Sequence, residues 1–83
     1  MRQPVSSRLI KEQVRVFAKN LVCKRAELDM SRAELARRSG VSASAIEKYE
    51  SRKVQPSALN IVLLARALGC TTDYLLGVER EKR

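Results

Sequence analysis

Residues 31–50 read SRAELARRSGVSASAIEKYE, a pattern that predicts two short helices joined by a tight turn. Ser31 is a good N-cap residue, and Glu34 three positions later completes a capping-box pattern. Gly40 stands where a helix commonly ends in the left-handed conformation, which glycine adopts without steric cost. Because Ser42 can cap a further helix, these signals predict helices over residues 32–39 and 43–50.

The second of these helices has two different faces. Val41, Ile46 and Tyr49 recur at helical spacing and are expected to point into a core. The opposite face carries small or polar residues and one lysine, namely Ala43, Ser44, Glu47 and Lys48. A helix that is anchored on one side and polar on the other suits insertion into a DNA major groove.

The stretch resembles the helix-turn-helix of the Cro and phage-repressor type, the XRE family. The resemblance covers roughly residues 17–76 and rests on Ser31, Glu34, Leu35, Ala36, Gly40, Val41, Ser42, Ile46 and Glu50. It implies an all-α fold, a compact five-helix repressor-like domain with a central helix-turn-helix. It also implies a sequence-specific transcriptional regulator, which we interpret as a repressor that binds a palindromic operator in double-stranded DNA as a homodimer.

Three residues of the second helix match the positions that read base edges in similar proteins. Ala43 offers a methyl group to thymine, Ser44 can donate or accept a hydrogen bond, and Lys48 can reach guanine O6 and N7. Glu47 would either orient a neighbouring side chain or accept a hydrogen bond from cytosine. For each residue the alternative is an exposed helix position without a partner.

Other residues suit contacts with the DNA backbone, namely Arg32, Arg37, Ser42, Arg52 and Lys53. Arg32 and Ser42 stand at helix starts, where free N–H groups favour a phosphate. Arg52 and Lys53 follow the second helix of the motif, residues 43–50, which the resemblance makes the recognition helix. Arg37 is expected to act through its charge alone. Contacts of this kind position a protein on DNA but do not read its sequence.

Arg25 and Glu50 match a pair that joins helix 1 to the end of the recognition helix in similar proteins. The resemblance therefore implies a structural ion pair, and the alternative is two independent surface charges. If the pair is buried, the loss of one partner should cost far more than the loss of an exposed pair.

The whole chain, residues 1–83, is expected to form one domain. We expect a loose arm or a helix lead-in over residues 1–7 and an amphipathic helix 1 over 8–28, with a separate short helix over 8–16 as the alternative. Closing helices are expected over residues 58–68 and 72–76, and a charged tail over 78–83. The helix over residues 58–68 is apolar nearly all round and is expected in the core. Helix 1 is longer than in similar proteins, so its first apolar residues need cover, for which a partner subunit is one candidate.

Two positions depart from the family pattern in ways that bear on loop shape. Asp29 and Arg52 stand where glycine is common, and of the two only aspartate tolerates the left-handed conformation well. The loop at Arg52 therefore either takes another shape or gains a phosphate contact that offsets the strain. Ser39 also departs from the pattern, because it stands at a usually apolar site.

The net charge of +8, from 17 basic and 9 acidic residues, lies mainly on and before the helix-turn-helix. Residues 1–25 carry seven basic residues and one acidic residue, whereas residues 54–83 carry four and three. This distribution favours nucleic acid as the partner. The apolar runs are too short to span a membrane and no signal peptide is visible, so we expect a cytoplasmic protein.

The sequence offers no set of residues for catalysis. It has no histidine, no paired-carboxylate spacing and no glycine-rich phosphate loop, so we expect neither an enzyme nor a cofactor, metal or small-molecule ligand. Cys23 and Cys70 are expected as small thiols in or near the core. The rival function is a protein-interaction module of the same fold, such as an antitoxin, which should lack the basic bias around the recognition helix.

Overall fold

The computed structural model describes residues 5–78, and within that range the chain forms five α-helices and no strand. Helix α1 spans Val5–Glu27, α2 Arg32–Ser39, α3 Ala43–Glu50, α4 Ala58–Leu68 and α5 Thr72–Leu76. The all-α, five-helix prediction is confirmed. Most of the expected arm and all but the first residue of the expected tail lie outside the described residues.

Helix α1 differs from its predicted range of 8–28 at both ends. It begins at Val5 and continues without a break, so residues 5–7 form a helix lead-in, the second of the two alternatives expected for them, and residues 8–16 are not a separate helix. These residues include neither glycine nor proline, so their sequence does not oppose a helix. The helix ends one residue early, at Glu27.

The early end of α1 follows from the backbone of Asp29, which adopts the left-handed conformation with φ 56°. The N–H of Asp29 donates to the Ala26 carbonyl at 3.0 Å, and that of Met30 donates to the Arg25 carbonyl at 3.0 Å. This is the Schellman arrangement that commonly closes a helix. Leu28, which lies between the helix and this turn, is 46% exposed.

Hydroxyl side chains cap the N-termini of α2 to α5. In each case the side-chain oxygen accepts from the N–H three residues later, at distances of 2.9–3.1 Å, and the four caps are Ser31, Ser42, Ser57 and Thr71. The capping box predicted for α2 is only half formed. The carboxylate of Glu34 binds Arg37 and Arg38 of its own helix instead of the N–H of Ser31.

The core lies where α1 packs on α3 and α5, and where α2 packs on α3 and α4. Its buried side chains are Phe17, Leu21, Met30, Leu35, Val41, Ile46, Tyr49, Leu64, Ala65, Leu68 and Leu75. The rings of Phe17 and Tyr49 meet edge to face with centroids 6.0 Å apart, which joins α1 to α3.

Ser39 is buried at the end of α2, in the position where an apolar residue is usual. Its Oγ accepts a hydrogen bond from the N–H of Val41 at 3.0 Å. The buried hydroxyl therefore has a partner, and the same bond fixes the turn between α2 and α3.

Two predictions of burial are wrong. On α4, Leu59 and Val62 are 65% and 39% exposed, because this helix buries only the face that carries Leu64 and Leu68. Cys23 is exposed on the outer side of α1, whereas Cys70 is partly buried, as expected. The sequence of α4 is apolar on more sides than its neighbours cover.

Two amide side chains of α1 hold the end of α5. Asn20 Nδ2 donates to the Tyr74 carbonyl at 2.9 Å, and Gln13 Nε2 donates to the Leu76 carbonyl at 2.9 Å. The chain then turns at Gly77, whose φ is 72°. A Cβ atom on Gly77 would clash with Cγ1 of Val16, so this turn needs glycine for space as well as for its backbone angle.

Two variants distinguish the need for space from the need for a left-handed backbone angle, namely Gly77→Ala and Gly69→Ala. Gly69 has a similar φ of 68° but no atom within 4 Å of its would-be Cβ, so its replacement should cost about 1 kcal/mol, the left-handed strain alone. Gly77→Ala adds a clash with Val16 and should cost about 2–3 kcal/mol. Urea unfolding of both variants measures the difference, and equal losses would show that α1 and α5 move apart without cost.

Candidate nucleic-acid interface

Helix α3 presents a polar face to solvent because its other face is fixed in the core. Ile46 is fully buried and Tyr49 is 5% exposed. The predicted base-reading residues lie on the other side, where Ala43, Ser44 and Lys48 are exposed and Glu47 is partly buried. Within the described residues, then, the anchored side and the exposed side of α3 are those that its sequence pattern predicted.

A hydrogen bond that the sequence did not suggest also holds α3. Asn60 Nδ2 on α4 donates to the hydroxyl oxygen of Tyr49 at 2.8 Å. The ring of Tyr49 therefore packs against Phe17 while its hydroxyl is bound to α4. The only sequence signal for Asn60 was its polarity within an otherwise apolar helix.

The carboxylate of Glu50 ends α3 and is almost completely buried, with 2% of its side chain exposed. Arg25 donates to it twice, from Nε to Oε2 at 2.8 Å and from Nη2 to Oε1 at 3.0 Å. The remaining guanidinium nitrogen of Arg25 donates to the Met30 carbonyl at 2.9 Å. The ion pair implied by the family resemblance is thus present, bidentate and largely buried.

A second arginine also binds Glu50, and the sequence did not predict this contact. Arg32 Nε, at the start of α2, donates to Glu50 Oε1 at 2.8 Å. The sequence predicts only a DNA phosphate contact for Arg32. Its side chain remains 47% exposed, and the pairing through Nε fixes the orientation of the guanidinium at the N-terminus of α2.

Arg37 lies apart from this cluster, although it too was predicted to contact phosphate. Its Nη2 binds Glu34 Oε2 at 2.6 Å on the surface of α2, and its side chain is 71% exposed. Hydrogen bonds from Arg37, and then from Arg38, hold the pKa of Glu34 below its usual range. Ser42, in contrast, uses its oxygen as a cap acceptor, so its hydroxyl proton is available to an outside acceptor.

The loop after α3 keeps the shape that glycine usually gives it, although it contains Arg52. Arg52 has φ 64°, its N–H donates to the Tyr49 carbonyl at 3.1 Å, and that of Lys53 donates to the Lys48 carbonyl at 2.9 Å. Of the two alternatives predicted for this loop, the structure has the left-handed arginine. The side chains of Arg52 and Lys53 are both exposed.

A sequence model of the helix-turn-helix family matches residues 24–75, more than half of the chain. The chain belongs to the helix-turn-helix family. Its relative, repressor protein C2 of Salmonella phage P22, is 33% identical over 61 residues, and the match places it with the Cro and phage-repressor type. The matched region is 74% of this chain but only 28% of the P22 protein. No solved structure matches the chain.

The family assignment makes α2 and α3 the helix-turn-helix itself, and it leaves most of α1 before the matched residues. Within residues 5–78, no group of three histidine, cysteine or acidic side chains is placed to hold a metal ion. No helix of this part of the chain is both long and apolar enough to cross a membrane.

Glu50→Gln should lower the free energy of unfolding by about 2–3 kcal/mol, because it leaves two guanidinium groups without their buried counter-charge. Glu34→Gln is the matched control, since Glu34 also binds two arginines but does so at the helix surface. Urea unfolding should show a clearly smaller loss for the control. Equal losses in the two variants would contradict a special role for the buried carboxylate.

Arg52→Gly should raise the free energy of unfolding by about 0.5–1 kcal/mol, because glycine removes left-handed strain but adds entropy to the unfolded chain. Arg52→Ala removes the same charge and keeps the strain, so it should give no such gain. Thermal or urea unfolding of the pair distinguishes the causes. A gain of the same size in Arg52→Ala would assign the effect to charge repulsion.

Proposed function

We propose that this protein is a sequence-specific regulator of transcription, a repressor, that inserts α3 into the major groove of double-stranded DNA. The observation that carries the proposal is the position of α3, whose apolar side is buried while its polar side faces solvent. Family membership and the similarity to a phage repressor support this function over an enzymatic one.

The proposed base-reading residues are those on the exposed side of α3. Lys48 would donate to guanine, Ser44 would donate to or accept from a base, and Ala43 would contact a thymine methyl. Glu47, which is partly buried, would orient a neighbour or accept from cytosine. Each good contact of this kind is worth about 1–3 kcal/mol of discrimination against a wrong base.

The proposed backbone contacts surround this helix. Arg32 would bind phosphate through the guanidinium nitrogens that Glu50 leaves free, and Ser42 would donate its hydroxyl proton. Arg52 and Lys53 would contact phosphate beyond the end of α3. Arg37 would contribute charge only, because its ion pair with Glu34 holds it on the surface of α2.

We further propose that two copies bind a palindromic operator whose half-sites lie about 10–10.5 bp apart, one helical turn. Exposed apolar side chains support self-association, among them Leu59 of α4 at 65% exposure and Leu9 of α1 at 57%. We propose that the dimer contact includes residues 74–76 of α5, where Tyr74 and Leu76 are partly buried and Leu75 lies in the core. A dimer of half-site readers gains affinity because the second contact is intramolecular.

One observation favours a second candidate function, that of a protein-interaction module. An apolar groove of about 340 Å³ lies between the first turns of α1 and the start of α4, lined by Leu9, Ile10, Gln13, Val14, Phe17, Gln55, Pro56, Ile61 and Leu76. The basic residues that surround α3 favour DNA binding over this alternative.

Selection of bound duplexes from a random library tests the proposal. The wild-type protein should enrich a two-fold symmetric motif, and Ser44→Ala/Lys48→Ala should lose it because both side chains face the groove. Arg66→Ala is the control, since it also removes an exposed positive charge but from α4.

Each result of the selection has a definite meaning. If the enriched motif has no symmetry, the protein binds DNA sequence-specifically but does not bind as a two-fold dimer. If no motif is enriched at moderate salt, sequence-specific binding is excluded and the groove beside Leu9 becomes the place to search for a protein partner. A motif that the double variant retains would exclude α3 as the reading helix.

A further inference from the structure

We propose that α1 adds a second phosphate-binding surface to the DNA interface, formed by Lys11, Arg15 and Lys19 and named here the α1 strip. The inference rests on the proposed DNA binding and extends it to a part of the chain that lies before residues 24–75, the range matched to the family. The three residues are spaced four apart, so they lie along one face of the helix, and all three are exposed.

The α1 strip adjoins the end of the recognition helix through Arg52. One cleft, of about 390 Å³, is lined by Ile10, Lys11, Val14 and Arg52. A second cleft, also of about 390 Å³, is lined by Arg15, Ala18, Lys19, Val22, Cys23, Glu50 and Arg52. Arg52 therefore shares a cleft with each of the three residues of the strip. Through Arg52, the basic surface of α1 adjoins the end of α3.

The charge of this surface is not cancelled by its acidic neighbours. Glu12 binds Arg15 at 2.7 Å, but the Arg15 side chain is still 50% exposed. Glu50 is already bound by Arg25 and Arg32. Among the ion pairs of the described residues, none involves Lys11, Lys19 or Arg52. The strip and Arg52 together thus present a surplus of positive charge to an outside partner.

The dimensions of the strip fit a DNA backbone. From Lys11 to Lys19 the helix advances about 12 Å, at 1.5 Å per residue. Over that length one DNA strand carries about three to four phosphates, at one per 3.4 Å of axial rise. A row of like charges that continues from the end of the recognition helix is what a flanking backbone segment requires. An acidic protein surface is the competing partner, and the experiment below discriminates against it.

The test measures the affinity for the selected duplex as a function of salt concentration, with Lys11→Gln, Lys19→Gln and the double variant. Each phosphate contact contributes about 0.9 to the slope of log K against log salt. Because two subunits bind the operator, each single variant removes two contacts and should lower the magnitude of the slope by about two, and the double variant by about four, while the enriched motif is unchanged. Arg66→Gln removes one positive charge from α4 and should leave the slope unchanged.

Duplex length provides an independent readout. The strip lies outside the helix-turn-helix, so its contacts should fall on DNA that flanks the base-read motif. Shortening the duplex to that motif should then abolish the difference between the wild-type protein and the double variant. Circular dichroism and urea unfolding should show an intact fold in all variants, because the replaced side chains are exposed.

The outcomes separate this proposal from the proposed function. If the wild-type protein enriches a motif but both lysine variants keep its salt slope, the α1 strip does not contact DNA, and an acidic protein becomes its expected partner. A slope reduced equally by Arg66→Gln would also overturn the proposal, since the effect would then come from net charge. Failure of the wild-type protein to bind any duplex would overturn the proposed function itself.

Discussion

The helix-turn-helix is held together by one buried carboxylate, that of Glu50. A charge that is 98% removed from solvent must be matched closely, and here two guanidinium groups supply the match from two other helices. Arg25 connects α1 to this carboxylate and also binds the carbonyl of Met30 in the turn after α1. Arg32 connects the start of α2 to the same carboxylate. Three helices therefore meet at the two carboxylate oxygens of Glu50. The apolar core sets how closely these helices pack, whereas the carboxylate sets where the end of α3 lies.

Local signals in the sequence predicted the helices well, because each signal acts over three or four residues. Serine and threonine caps define where α2 to α5 begin, and the polar side of α3 follows from residue spacing alone. The Arg25–Glu50 pair came only from the family resemblance. The second arginine on Glu50 was missed because Arg32 lies 18 residues from it, and only the crossing of α2 and α3 brings them together. The same limit explains Cys23 and Leu59, whose burial depends on which neighbours the fold supplies.

A left-handed residue follows each of the five helices of the described residues, but the strain differs from one to another. Gly40, Gly69 and Gly77 adopt this conformation freely, and Asp29 tolerates it, but Arg52 does so under strain. Strain of this kind persists only where the surroundings enforce it, and here two backbone hydrogen bonds to the last turn of α3 do so. A long cationic side chain is thereby placed beside both α3 and α1, where a glycine would contribute nothing. The strained backbone of Arg52 therefore lowers the stability of the loop, but it holds a positive charge beside α3 and α1.

The side-chain bond from Gln13 to the end of α5 divides α1 into two parts with different local stability. C-terminal to it, Phe17 and Leu21 are in the core, whereas N-terminal to it Leu9 and Ile10 are about half exposed. A helix end with so little buried area opens in local fluctuations without the rest of the domain unfolding. Amide hydrogens of the first two turns should therefore exchange faster than those of residues 17–21. A partner that covers these turns would slow the exchange of their amide hydrogens but not that of residues 17–21. The exchange rates would therefore show whether a partner is bound at this end of the molecule, and the protein would need no label.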